Sequence, residues 1–238
     1  MDKDPRLLII PDVHGRTFWK KAVQTQDYDT VIFLGDYVDP YEEEGISDDQ
    51  AYQNFAEILQ FKKRQPRQVV LLLGNHDLHY ASDRFCLNAC GSRYNEDFAY
   101  ILQQLFVAHR SDFKLAYQVD TDRQRYLFTH AGVNTSWYRR HEQQIKELQA
   151  PNLNRLLTTN RGIDALSEIA PARGGYYPTG SIVWADKKDM MSDQPFPDLY
   201  QVFGHTLSSD GPLITQHFAC LDCRTAFLLQ SGEFHPVQ

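Results

Sequence analysis

The chain has 238 residues, 42% of them hydrophobic and 13% aromatic: one large domain, or at most two small ones, with material for a sizeable core. That composition excludes a disordered chain, a disulfide miniprotein and a collagen-like repeat. Lys and Arg number 24 against 31 Asp and Glu, a formal charge of −7, which argues against non-specific binding to nucleic acid or an anionic membrane surface.

After Met1-Asp2-Lys3-Asp4-Pro5-Arg6 come only four apolar residues, Leu7 to Ile10, before Pro11 and Asp12, too short a run for a signal peptide. No window approaches a membrane span, so the expectation is a cytoplasmic protein with free thiols. Cys86 with Cys90 and Cys220 with Cys223 have zinc-ligand spacing. The second pair, however, lies in a strand-like run whose odd separation turns the side chains to opposite faces. All four cysteines are read as small hydrophobes.

The predicted strands share one grammar, an apolar run that stops at a polar, ligand-type residue. Leu7–Ile10 leads to Asp12-Val13-His14, and Val31–Leu34 leads to Gly35-Asp36-Tyr37-Val38-Asp39. Val69–Leu73 leads to Gly74-Asn75-His76-Asp77, Tyr126–Phe128 to Thr129-His130-Ala131-Gly132, and Val202-Phe203 to Gly204-His205-Thr206. Short apolar runs without alternation are strands buried on both faces, and ligands gather where such strands end. Between them, Asp48–Lys62 and Glu96–Arg110 carry apolar stripes of helical period behind acidic starts. Ser136–Leu148 and Asn152–Thr159 read as polar helices, and Leu213–Leu221 and Thr225–Gln230 as closing strands. Strands alternating with helices early, then strands in succession, predict a layered α/β domain with mixed sheets.

Asp12, His14, Asp36, Asn75, His130 and His205 supply two carboxylates, three imidazoles and one amide carbonyl. That mixture suits Mn, Fe or Zn and not calcium. Six side chains are too many for one open site but suit two ions sharing a carboxylate. Two metals ~3.5–4 Å apart can hold a hydroxide between them and clamp the entering and leaving oxygens of a phosphate. Two carboxylates leave two divalent ions under-neutralised, so a phosphate ester is the natural guest.

In order and spelling, D-x-H, G-D-x-x-D, G-N-H-D, a lone His before Ala-Gly, and G-H resemble the calcineurin-like metallophosphoesterase superfamily. The similarity is strongest to its branch of serine/threonine phosphatases, phage-type phosphatases and symmetrical diadenosine-tetraphosphate hydrolases. It covers residues 7 to about 134 and 200 to 230, leaving 135–199 as a helical and loop insertion that shapes substrate choice. The resemblance implies one domain over 1–238, a four-layer α/β/β/α sandwich of two mixed sheets. It further implies that Asp12 and His14 bind a first metal, that Asp36 bridges, and that Asn75, His130 and His205 bind a second. The catalytic His then falls on His76 and its orienting carboxylate on Asp39. A carboxylate contact would raise the pKa of His76 and fix its tautomer.

Two departures stand out. The phosphatases follow G-D-x-V-D with Arg-Gly and place Arg before G-N-H, where this chain has Pro40-Tyr41 and Leu73. Subgroups with G-H-x-H gain a second ligand for the first metal, where this chain has Leu207. Arg173 is the preferred substrate-binding arginine, while Arg84 and Arg93 are read as surface residues within reach of the cleft. Trp184-Ala185-Asp186 resembles a Trp-Ala-Arg element with its Arg replaced. The remaining histidines, His79 among them, are read as surface or satisfied core residues.

The expected function is a phosphoesterase using two divalent ions, manganese first, in which a metal-bridging hydroxide attacks phosphorus in line. The alternatives are a dinucleoside polyphosphate hydrolase and, from another class, a catalytically silent binding module. The expected partner is a phosphorylated substrate, with neither nucleic acid nor membrane involved.

Overall fold

The computed structural model describes residues 4–237. Strands β1 (Leu7–Ile10), β2 (Thr30–Phe33), β3 (Val69–Leu72) and β4 (Phe113–Lys114) run parallel in one sheet. The second sheet begins with β5 (Ala116–Asp120), β6 (Arg125–Thr129) and β7 (Tyr200–Phe203) and closes with β8 (Leu213–Ile214) and β9 (Phe218–Cys220). β10 (Ala226–Gln230) and β11 (Glu233–Val237) return to the first sheet, giving the orders β11-β10-β1-β2-β3-β4 and β5-β6-β7-β9-β8. β10 is antiparallel to β1 while β6, β7 and β9 are parallel, so both sheets are mixed.

The alternation of strand side chains explains the layering. Leu7, Ile9, Ile32, Leu34, Val70 and Leu72 form one apolar cluster with Phe128, Val202 and Ala219 of the second sheet, filling the space between the sheets. Their neighbours Leu8, Ile10, Val31, Phe33, Val69 and Leu71 face the opposite way, against helices. Those helices are α1 (Phe18–Thr25), α2 (Asp48–Arg64) and, beyond α3 (Asn75–Ala81) and α4 (Asp83–Ala89), α5 (Glu96–Ala108). Both faces of the strands are dry, which is why their sequences lack alternation. Ser47 starts α2 with a capping box, and Asp48 and Asp49 occupy its first turn.

The 135–199 segment supplies α6 (Thr135–Ile145), α7 (Ala150–Asn154), α8 (Asn160–Leu166) and α9 (Lys187–Ser192). Trp137, Leu153, Leu156 and Leu166 join the main apolar cluster, and Met190 of α9 packs with Ala131, Phe203 and Phe218 on the outer face of the second sheet. The result is the α/β/β/α layering. The predicted strand over 213–221 is instead the hairpin β8–β9, bent where Thr215 Oγ1 accepts the N–H groups of His217 and Phe218. Among the described residues no helix is long and apolar enough to cross a membrane.

Candidate metal centre

All five ligand-bearing loops leave the carboxyl ends of parallel strands: β1, β2 and β3 in one sheet, β6 and β7 in the other. Contacts across the sandwich draw the two sets together. Both carboxylate oxygens of Asp12 accept the His205 N–H, at 2.9 and 3.0 Å, and the Gly204 N–H donates to the His130 carbonyl at 2.7 Å. A Cβ at Gly204 would run into the Asp12 carboxylate and one at Gly74 into that of Asp36, so close approach explains both glycines. His14, Asp36, Asp39 and His205 all hold φ between 43° and 66°, a conformation costly for residues with a Cβ.

Asp36 lies at the centre. Its Oδ2 stands 3.5 Å from Nε2 of His14 and 3.4 Å from Nε2 of His130. Each ring donates its Nδ1–H to a backbone carbonyl, Val38 for His14 and Leu34 for His130, both at 2.9 Å. A carbonyl can only accept, so in the neutral ring the proton is on Nδ1 and the Nε2 lone pair faces the carboxylate. Burial first, then the charges of His76 and Arg93, hold His14 well below its usual range; burial and Arg173 do the same for His205. Around His130 Nε2 are also Asn75 Oδ1 and His205 Nδ1, each at 3.1 Å, and Nε2 of His205 is buried without a hydrogen-bond partner.

Acceptors facing acceptors in a dry pocket call for a cation. The ligand atoms of Asp12, His14 and Asp36, and those of Asp36, His130 and His205, lie within 4.8 Å of one another, with Asp36 common to both sets. The donor set therefore fits divalent metal. Asp36 is pushed well above the ordinary carboxyl range by burial and by Asp12, a cost that bound cations would offset.

Asp39, His76 and His79 form a third group of similar size. His76 Nδ1 donates to Asp39 Oδ2 at 2.7 Å, and Tyr80 O–H donates to Oδ1 at 2.6 Å. Nε2 of His79 faces the same Oδ2 at 2.8 Å, out of line for a hydrogen bond, while its Nδ1 accepts the Gly91 N–H at 3.1 Å. The Nδ1 contact puts the His79 proton on Nε2, so this is a proton-bearing network and not a metal cage. Asp39 does pull the pKa of His76 upward, but burial outweighs it, and with Arg93 nearby the ring sits at about 4. No cluster of potential ligands among the described residues includes a cysteine, and all four thiols are free.

The arginines divide by side. Arg173 donates to Thr206 Oγ1 at 2.6 Å, beside His205, and lies 3.0 Å from Asp186, the residue that replaces Arg in Trp-Ala-Arg. Arg84 is exposed and paired with Asp164. Arg93 differs from its surface reading: it is half-buried, with Nη2 3.3 Å from His76 Nε2 and 3.4 Å from His14 Nε2. Two carboxylates also escaped the sequence reading. Asp77 accepts three N–H groups from the neighbouring loops, and Asp222, buried beyond β9, has one oxygen without a hydrogen-bond partner. Burial and the charge of Asp12 push Asp222 up to about 8. Trp184 contributes a ring edge-on to His205, with centroids 5.8 Å apart, so the end of the insertion reaches the centre.

The model of the calcineurin-like phosphoesterase family matches residues 5–209, and the chain belongs to that family. It is a metal-dependent phosphoesterase. In structure it is similar to a protein serine/threonine phosphatase from Saccharomyces cerevisiae, itself described as similar to human phosphatase PP5. The TM-score is 0.53 at 14% identity, over 97% of this chain and 74% of that one, a likeness of fold. No curated protein shows significant sequence similarity to the chain.

Proposed function

We propose that the chain hydrolyses phosphate esters by direct in-line displacement at phosphorus, without a phosphoenzyme, at a centre of two divalent ions, manganese foremost. The observation that carries this reading is Asp36 Oδ2 between Nε2 of His14 and Nε2 of His130, each ring held through Nδ1 by a backbone carbonyl. Asp12, His14 and Asp36 would hold one ion, and Asp36, Asn75, His130 and His205 the other. Such a pair supplies Lewis-acid neutralisation of the phosphoryl group and activation of water.

The chain's own groups do the rest. His76 turns Nε2 toward the cleft because Nδ1–H is committed to Asp39, so Nε2, once it has taken up a proton, is placed to pass it to a departing alkoxide. Asp39 fixes that tautomer and orientation. Arg173, already beside His205, is placed to meet the substrate from the second-ion side. The insertion shapes that side through Trp184 and Arg173. The acidic segment 39–49 discourages long polyanions, and a cytoplasmic phosphorylated small molecule or protein is the expected partner.

A panel comparing an aryl phosphate monoester, an alkyl monoester and a dinucleoside polyphosphate, with metal analysis of the purified protein, tests this reading. Ester hydrolysis that depends on added Mn²⁺ and exceeds release from the dinucleotide supports it. Preference for the dinucleotide would move the assignment to phosphoanhydride hydrolysis.

A further inference from the structure

We propose that Arg93, seated on the ring of Tyr41, grips the phosphoryl oxygens of the substrate beside His76. The proposal rests on the reading of the centre as a phosphoesterase site and adds a recognition residue from an element outside the metal-ligand loops. Arg93 belongs to the link between α4 and α5. Its Nε donates to the Asp39 carbonyl at 3.0 Å, and its guanidinium carbon lies 3.8 Å from the Tyr41 ring centroid. Those two contacts fix the plane of the guanidinium and turn Nη2 to His76 and His14, where a transferred phosphoryl group would sit.

The charge pattern separates Arg93 from Arg16, Arg224, Arg84 and Arg173. Arg16 and Arg224 share Glu44 at 2.7 and 2.8 Å, Arg84 pairs with Asp164, and Arg173 with Asp186. Among the described residues no carboxylate forms an ion pair with Arg93. A half-buried guanidinium without a carboxylate partner, its Nη2 facing only ring nitrogens, matches a phosphate better than it matches water. Stacking on Tyr41 removes much of the side-chain freedom that binding would otherwise cost. Tyr41 is itself held edge-on against His14, with centroids 5.0 Å apart, so the shelf is tied to the first ligand set.

The test uses the full-length chain loaded with Mn²⁺ and inorganic phosphate as the probe, with binding measured by calorimetry. Arg93→Ala is expected to weaken phosphate by ~10–100-fold, the worth of a charge-assisted pair, with bound metal and circular dichroism unchanged. Tyr41→Leu is expected to weaken it ~3-fold through loss of the stacking contact. Methylguanidinium added to the Arg93→Ala protein should recover part of the loss, which a merely structural arginine would not allow. The exposed Arg84→Ala serves as control. Should Arg93→Ala fold poorly, Arg93→Met retains the apolar stem and answers the same question.

Phosphate binding within ~2-fold of wild type in either variant, or no phosphate binding by wild type, overturns the proposal. If wild type hydrolyses no ester yet binds phosphate through Arg93, the recognition role stands and the catalytic reading falls. If wild type hydrolyses esters while Arg93→Ala binds phosphate normally, the catalytic reading stands and the role of Arg93 falls.

Discussion

Asp77 holds the backbone of Asp36: its Oδ2 accepts the Asp36 N–H at 2.7 Å, and the same carboxylate accepts the N–H groups of Tyr37 at 2.9 Å and Gly74 at 2.8 Å. Two loops that each deliver a metal-type ligand are thereby locked in register, with Asp36 in a left-handed conformation it would not adopt alone. Asp77→Ala leaves three N–H donors without their acceptor in a fully buried pocket, so it should cost about 3–5 kcal/mol in urea unfolding and weaken metal uptake. Wild-type stability in that variant would show that the carboxylate is not the lock.

His76→Ala should leave metal content intact and lower turnover by roughly 10²–10⁴-fold, the usual worth of a general acid. The alkyl ester should lose more than an activated aryl ester, because a good leaving group needs no proton. Equal losses on both would remove His76 from the role of proton donor.

His79 reaches His76 through Asp39 and through an edge-on ring contact, with centroids 5.3 Å apart. It is buried, with Nδ1 taken by Gly91 and Nε2 against the carboxylate that orients His76. His79→Phe is expected to lower kcat by ~3–10-fold with little change in KM, in proportion to a partly lost orienting contact. His79→Gln, which keeps a donor, should recover activity. A matching fall in thermal stability with unchanged kcat would make His79 a packing residue only.

Glu168, from the insertion, gives a pH prediction away from the centre. Burial raises its pKa, but contacts with His141 at 2.9 Å and Arg140 at 2.8 Å together hold it below the ordinary value. A carboxylate whose folded pKa is depressed adds stability that is present above its unfolded pKa of about 4.3 and lost as pH falls through the folded value. Glu168→Gln should therefore cost about 1 kcal/mol at pH 7, with the difference from wild type shrinking below pH 4. A pH-independent difference would contradict that linkage.

The parts of the fold legible in the sequence were those that bury both faces or one continuous stripe. The five ligand-bearing strands announced themselves because nothing polar interrupts runs such as Val69–Leu73, and α2 and α5 because their stripes are long. Short helices escaped: α3 and α4 are seven residues each, too short to show an apolar period, and α3 is mostly His, Asp and Asn. β11 carries Pro236 and alternates only weakly, which an edge strand tolerates. The metal-type ligands were readable because each follows a strand directly. Arg93 was not, because Gly91-Ser92-Arg93-Tyr94 has no period or motif, and only the path of the α4–α5 link returns it to Tyr41. Leu207, where some relatives carry a further His, is partly exposed at 38%, so this chain adds no ligand there.

In the proposed two-ion centre that absence leaves three protein ligands on one side against four on the other, with Asp36 common to both. Calorimetric titration of the chelator-stripped chain with Mn²⁺, with aryl phosphate hydrolysis followed alongside, is the most direct test of the centre. Two ions per chain should bind in distinguishable steps, the tighter at Asp36, Asn75, His130 and His205, because four protein ligands outcompete three. Activity should return with the second, weaker step, and Asp36→Asn should weaken both. A single ion per chain, full activity in the stripped protein, or unaltered binding in Asp36→Asn would contradict the account.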